Sequence, residues 1–317
     1  MTLNIPGKAV NEMAIHTFQP QLYYNNIGSY EPALVINDGD TVSTSTIDAR
    51  GWDHMGESVA PRGNPMTGPF YVEGAQPGDV LEVKLESMTP NRDWGWTCNV
   101  LAPNVVDPLT ATTLPTLEIV RWQVDAAQGI ARLEKPTPGL EYLNLPIRPF
   151  LGCFGVAPSQ GQAISAATSG NYGGNMDYKA LVAGVSVYFP VFAEGALFHL
   201  GDGHATQGCG EIVGTGIEIS LDVRFSVHVH KGKTIKWPRV ESDTHLSCIG
   251  NVRPLEQALQ HATTEMLSLL VEDYGLSVNE ASLLLGQVVE YEVANVFNPA
   301  YSVACKIPKA YLPVRKS

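Results

Sequence analysis

Gly195–Lys231 reads GALFHLGDGHATQGCGEIVGTGIEISLDVRFSVHVHK, and its second half points to the fold class. From Ile217 to Val227 the apolar residues Ile217, Ile219, Leu221, Val223, Phe225 and Val227 alternate with Glu218, Ser220, Asp222, Arg224 and Ser226, the period of two that marks a β-strand. The first half carries the chemistry: Asp202, His204, Cys209, Glu211 and Glu218 fall within seventeen residues. Asp202 and His204 flank one glycine, so an extended backbone puts both side chains on one face, where a carboxylate oxygen and an imidazole nitrogen can share a cation. Oxygen plus imidazole suits zinc, manganese or iron, whereas calcium and magnesium favour oxygen alone. Two plainer readings compete: Asp202-Gly203 as a hairpin turn that leaves His204 and Glu211 in water, and Glu218 on a solvated strand face.

Outward from this stretch, composition narrows the class. The chain has 317 residues, 44% hydrophobic and 16% charged, with 30 Gly and 22 Pro, which favours many short strands joined by turns over a helical protein. A net charge of −12 argues against a nucleic-acid surface, whose footprint is basic and clustered. No apolar run reaches the ~18 residues of a membrane span, and MTLNIPGKAVNEMAIH lacks a signal-peptide core, so the expectation is a cytoplasmic protein with no membrane partner. Cys98, Cys153, Cys209, Cys248 and Cys305 are odd in number and lack CxxC spacing, which reads as reduced thiols.

Along the chain, Ala33–Ile47 reads as a hairpin around Asn37–Asp40 that delivers Asp48 to a strand end, where it serves as a ligand or as a turn cap. Residues 64–88 give two strands around AQPGD, with Glu73 beside the turn, facing either a pocket or water. LEIVRWQVD and GIARLEK form a hairpin across Asp125–Gly129. PFLGCFGVAP holds Cys153, which reads as a buried structural thiol. SAATSGNYGGNMD, residues 165–177, is a long turn whose amides could bind an oxyanion. Pro254 opens a helix that Gly275 stops, and Ser277 with Glu280 caps a second helix through ASLLLGQVVEYEVANV. The fold class is α+β, mainly β: a sandwich- or barrel-like body with two helices near the C-terminus. Residues 1–317 read as a single unit, with two strand-rich halves at about 1–150 and 151–317 meeting near Pro149–Pro158.

These motifs resemble the acetamidase/formamidase family. GALFHLGDGHATQGCGEIVGTGIE is similar to its central signature, and NPMTGPFYVEGAQPGDVLEV, PFLGCFGVAP and GGNMDYKALVAGVSVYFPV are similar to three others in the same order, from about Asp38 to the C-terminus. The resemblance implies a mainly β, commonly oligomeric enzyme that hydrolyses short aliphatic amides to carboxylate and ammonia. It marks Asp48, Glu73, Asp202, His204, Glu211 and Glu218 as the polar positions. One departure stands out: the family pattern has Asp between Gly208 and Gly210, where this chain has Cys209. The expected function is metal-dependent hydrolysis of a formamide- or acetamide-type substrate by a homo-oligomer. Asp48, Asp202, His204 and Glu218 would hold a divalent metal, zinc before calcium, and Glu211 and Glu73 would act in catalysis. Two alternatives are a cysteine-nucleophile amidase using Cys209 or Cys153, and a non-catalytic cation-binding β-rich module.

Overall fold

The computed structural model describes residues 13–315. Two large open sheets pack face to face. One has nine strands, in the order Ile15–Thr17, Thr41–Ser45, Leu221–His230, Val80–Pro90, Ser186–Pro190, Arg239–Glu241, His245–Asn251, Ser302–Pro308 and Glu290–Asn295. The other has six, in the order Ser169–Gly170, Gly173–Asn175, Phe150–Gly155, Phe198–His204, Met66–Val72 and Leu34–Ile36. Phe70, Phe198 and Phe225 meet between them, with Phe225 centred 5.3 Å from each of the other two. Such aromatic pairs add to the area they bury and fix the stacking of the sheets. Both sheets draw strands from either side of Pro149–Pro158. Two smaller sheets complete the strands, and no helix is long and apolar enough to cross a membrane among the described residues.

Local signals succeed where they are strong. Leu221–His230 alternates buried and exposed residues as its sequence predicts, and Ile119–Asp125 pairs antiparallel with Ile130–Leu133. Leu255–Tyr274 is helical and ends on Gly275 in the left-handed conformation, φ 70°. Its apolar stripe, with Leu285 of the second helix, packs on Leu246, Cys248, Cys305 and Ile307 at one end of the nine-stranded sheet.

Two expectations are corrected. Asn37–Asp40 does not close a hairpin: Leu34–Ile36 runs parallel to Met66–Val72 in one sheet, and Thr41–Ser45 pairs with Leu221–His230 in the other. The turn reverses the chain but is tied to a third segment, because the Asp40 carboxylate accepts from the backbone N–H groups of both Asn37 and Ala14. The second helix keeps its Ser277–Glu280 capping box but ends at Val288. Glu290–Asn295 is a strand on Ser302–Pro308, where the β-branched and aromatic run finds a sheet edge to pair with.

Candidate metal centre and cavity

The site forms where the chain crosses between the sheets. Phe198–His204 is a strand buried along its whole length, so Asp202 is not the start of a hairpin turn. The segment 217–220 folds back along it through Ile219 N–H to Gly203 O at 2.8 Å and Ala205 N–H to Ile217 O at 2.8 Å, then enters Leu221–His230 of the other sheet. A side chain at Gly203 would strike Ile219 O at 2.6 Å, so the close approach requires glycine there. Glu218 lies between His204 on one side and Trp96 on the other. It is therefore only 2% exposed, against the competing reading of a solvated face, because both faces of 217–220 are covered.

Four carboxylates and one imidazole are buried together. His204 Nε2 is 2.9 Å from Glu218 Oε1 and 3.6 Å from Asp202 Oδ1, yet makes no hydrogen bond to either. Its other nitrogen, Nδ1, is 2.9 Å from Gln207 Oε1, and Gln207 is fixed in that orientation because its Nε2 donates to Asp177 O at 2.8 Å. An acceptor facing Nδ1 holds a ring proton there, so Nε2, which faces the carboxylates, is the nitrogen that could ligate a metal in exchange for its own proton, the orientation of a metal-ligating histidine. Asp202, His204 and Glu218 offer ligand atoms within 4.8 Å of one another, and so do Asp177, His204 and Glu211.

Asparagines orient the carboxylates. Asn64 donates to Asp202 Oδ2 at 3.1 Å; Asn295 and Asn298 donate to Asp177 Oδ2 at 2.9 and 2.7 Å; Asn295 also bonds Glu211. His204 Nε2, Asp177 Oδ1 and Glu218 Oε2 are left buried with no hydrogen-bond partner. Beneath them is Gly152, where a Cβ would lie 2.4 Å from Asp177 Oδ1, 2.6 Å from Asp202 Oδ2 and 3.0 Å from His204 Cε1. Unpartnered buried polar atoms carry a desolvation penalty unless something satisfies them, and a divalent cation fits this donor set.

Without a cation, the cluster holds on to protons. Burial, then the charge of Asp202, pushes Asp177 up to about 7. Burial, then Asp202 again, raises Glu218 to about 8 against the opposing pull of His204. Glu211 is held well above the usual carboxylate range by burial and by Asp177. Burial alone would lower His204, but the charges of Glu218 and Asp202 raise it well above 6.5.

The remaining sequence candidates lie elsewhere. Asp48 sits behind Glu218 with every acceptor position filled: Oδ1 by the N–H groups of Arg50 and Trp52, Oδ2 by Arg92 at 2.6 Å and the Trp96 indole at 3.0 Å. It is a turn cap and the partner of a buried arginine, with no lone pair to spare for a metal. Glu73 is exposed beyond the strand Met66–Val72, so it does not reach the cluster. Cys153 is buried, its thiol bonded to Ala166 O at 3.5 Å and pushed well up by burial and then by Asp202, which disfavours a nucleophilic thiolate. Cys209 is exposed. Sequence reasoning missed Asp177, Gln207, Gly152 and the three asparagines. The only sequence sign of Asp177 is that it closes the glycine-rich loop, and Asn64 and Asn298 each precede a proline, so both read as turn residues.

Above the carboxylates opens a cavity of about 470 Å³, walled by Trp96, Phe297 and Thr215, with Asp202, Glu211 and Glu218 on its floor. Comparison with known proteins places the chain. The family model described as the acetamidase/formamidase family matches residues 31–170 and 161–310. The solved acetamidase of Yersinia enterocolitica superposes with a TM-score of 0.83 at 29% identity, over 96% of this chain and 95% of that one. A protein of Schizosaccharomyces pombe named as a formamidase is 26% identical over 67% of this chain, and a formamidase of Methylophilus methylotrophus is 25% identical over 51%. The chain spans 65% and 51% of the lengths of these two relatives.

Proposed function

The chain belongs to the acetamidase/formamidase family, and from that premise we propose that it hydrolyses short aliphatic amides with a divalent cation held at His204. The observation that carries the metal is His204 Nε2, buried without a hydrogen-bond partner and facing Asp202 and Glu218 while Gln207 holds Nδ1. Those three residues would hold the cation, with Asp177 beside them. The imidazole favours zinc over calcium. When bound, such a cation supplies Lewis acidity toward an amide carbonyl and acidifies water.

The protein's own groups do the rest. Water adds to the carbonyl carbon and the C–N bond breaks; one water proton goes to the departing nitrogen, and the second, released as the product acid ionises, is taken up by the ammonia, giving carboxylate and ammonium. Glu211 is the group to carry the first proton: it is on the cavity floor, is oriented by Asn295, and burial and then Asp177 hold its pKa well above the usual carboxylate range, which makes it a stronger proton acceptor than an ordinary carboxylate. Trp96 and Phe297 wall the side of the cavity where the alkyl part of the substrate would lie. Metal analysis alongside ammonia release from formamide and acetamide tests the reading, with chelated and zinc-reconstituted protein compared. Full turnover by metal-free protein sinks the metal; no turnover of any short amide sinks the hydrolase.

A further inference from the structure

The cavity is larger and differently charged than a two-carbon amide requires. At about 470 Å³ it lies in the ~300–1,000 Å³ range of sites that enclose drug-sized ligands, and formamide or acetamide would fill only a fraction of it. Its floor is acidic, but its lining also includes two arginines, Arg50 and Arg62. The backbone brings their segments together, since Gly63 N–H donates to Ala49 O at 2.8 Å and Asn64 N–H to the same oxygen at 3.3 Å.

These two guanidiniums differ from most others in the molecule. Arg92, Arg121, Arg224, Arg239 and Arg315 each pair with a carboxylate. Among the described residues, Arg50 and Arg62 have no ion pair and no side-chain hydrogen bond. Arg50 is half-buried and lies over two indoles, its Cζ 5.0 Å from the Trp96 ring centre and 5.7 Å from that of Trp52. Stacking holds the plane of a guanidinium and leaves its edge N–H groups free to donate. Arg62 is exposed, two residues before the Asn64 that orients Asp202.

We propose that the cavity takes amides bearing a carboxylate at the end remote from the scissile bond, the monoamides of short dicarboxylic acids, with Arg50 and Arg62 as the residues that recognise it. The inference rests on the amide-hydrolase reading and narrows its substrate class. The planar, paired N–H groups of guanidinium match a carboxylate, so the amide end goes to the acidic floor and the anionic end to the arginines. A cationic tail would face two like charges in their place. Trp96 and Phe297 would flank the methylene spacer between the two ends.

The test compares succinamate with levulinamide, which replaces the carboxylate by a neutral group of similar size, using metal-replete wild type, Arg50→Gln, Arg62→Gln and the double variant. Ammonia release should give a kcat/KM ratio favouring succinamate by about tenfold or more in the wild type, falling towards one in the double variant, mostly through KM. A wild-type ratio of one or less, or a ratio the double variant keeps, overturns the proposal. Calorimetric titration with succinamate separates this failure from that of the hydrolase reading. If no amide is turned over, wild-type binding that the double variant loses upholds the arginine subsite and rejects the hydrolase. Absent binding, or binding equal in both proteins, rejects the subsite. Circular dichroism and metal content establish that each variant is folded.

Discussion

Two buried charged clusters, one beneath the long helix and one around His204, meet the cost of burial differently. Beneath the long helix, Glu265 is 2% exposed and takes Arg239 Nε at 2.6 Å on one oxygen and Lys236 N–H at 3.2 Å on the other. Arg239 also lies within 3.6–3.8 Å of Glu272 and Asp273, and Lys233 and Arg315 pair with Asp273. Charge there is balanced by the chain itself. Around His204, Asp177, Asp202, Glu211 and Glu218 surround one imidazole, and the nearest buried guanidinium, Arg92, is already paired with Asp48. Asparagines orient the carboxylates but cannot neutralise them. A balanced cluster holds structure, whereas an unbalanced one, built with the same care, stores affinity for a cation.

The largest effect should come from removing the one imidazole. Substituting a residue that only orients a ligand lowers metal affinity by ~10–100-fold, and His204→Ala, which deletes the ligand itself, should lose more than that, with turnover falling alongside. Metal content and ammonia release for His204→Ala beside His245→Ala check this; bound metal with near-normal turnover in His204→Ala would mean the site is elsewhere. Next come matched changes in the two clusters. Glu265→Ala strands the buried Arg239 and should destabilise by about 3–5 kcal/mol in urea unfolding. Glu218→Gln in chelated protein should do the opposite at pH 8. Because the Glu218 carboxyl is raised from 4.5 to about 8 in the fold, its stabilising contribution is complete below about 4.5 and is lost as pH rises to about 8. Asp177, raised from 3.8 to about 7, acts in the same direction. Chelated wild type should therefore lose melting temperature from pH 5 to 8, Glu218→Gln should lose less, and saturating zinc should reverse the trend. A chelated protein that gains stability across that window would contradict the unbalanced cluster.

The two regions are also unequally legible in the sequence. The helix end rests on local signals: Pro254 before the first helix, Gly275 after it, and Ser277 with Glu280 capping the next, none of which needs a distant partner. In the central stretch Asp202 and His204 could be paired from their spacing, because alternation along a strand is also local. Glu218 could not be distinguished from a solvated strand residue, since its burial depends on Trp96, more than a hundred residues earlier. Asp177 was invisible for the same reason: it enters through a loop, and only the pairing of Gly173–Asn175 with Phe150–Gly155 brings it over Gly152. Asp48 misled because an acid at a strand end suits a ligand and a turn cap equally, and the sequence does not show Arg92 arriving. The Asn37–Asp40 turn misled because a reversal of the chain does not say which sheet the next strand joins.

A smaller effect isolates the device that readies His204. Gln207→Leu removes the acceptor at Nδ1 while keeping bulk, so the ring loses both its tautomer and its anchor to Asp177 O. Zinc affinity should fall by ~10–100-fold, the range for a group acting through a ligand, while urea stability of the chelated protein changes far less. Unaltered affinity would show that Nε2 is set without Gln207.

The smallest expected effect is at Cys209, and it bears on mechanism. The thiol is exposed, in the loop between His204 and Glu211, and does not line the cavity that Glu211 and Asp202 floor. A nucleophile must reach the carbonyl carbon, with a base within hydrogen-bond reach to deprotonate it. Cys209 meets neither condition, and the buried Cys153 is surrounded by negative charge that opposes a thiolate. Cys209→Ser and Cys209→Asp should each leave stability within about ±0.5 kcal/mol, as for an exposed loop position, and turnover within about twofold. Zinc content should not change, since the ligating atoms come from other residues. Iodoacetamide should label the thiol at the same rate with and without acetamide, because nothing in the cavity covers it. A large loss of turnover in Cys209→Ser, together with protection from labelling by substrate, would place the thiol at the reacting carbon and transfer the chemistry from the carboxylate end of the molecule to this loop.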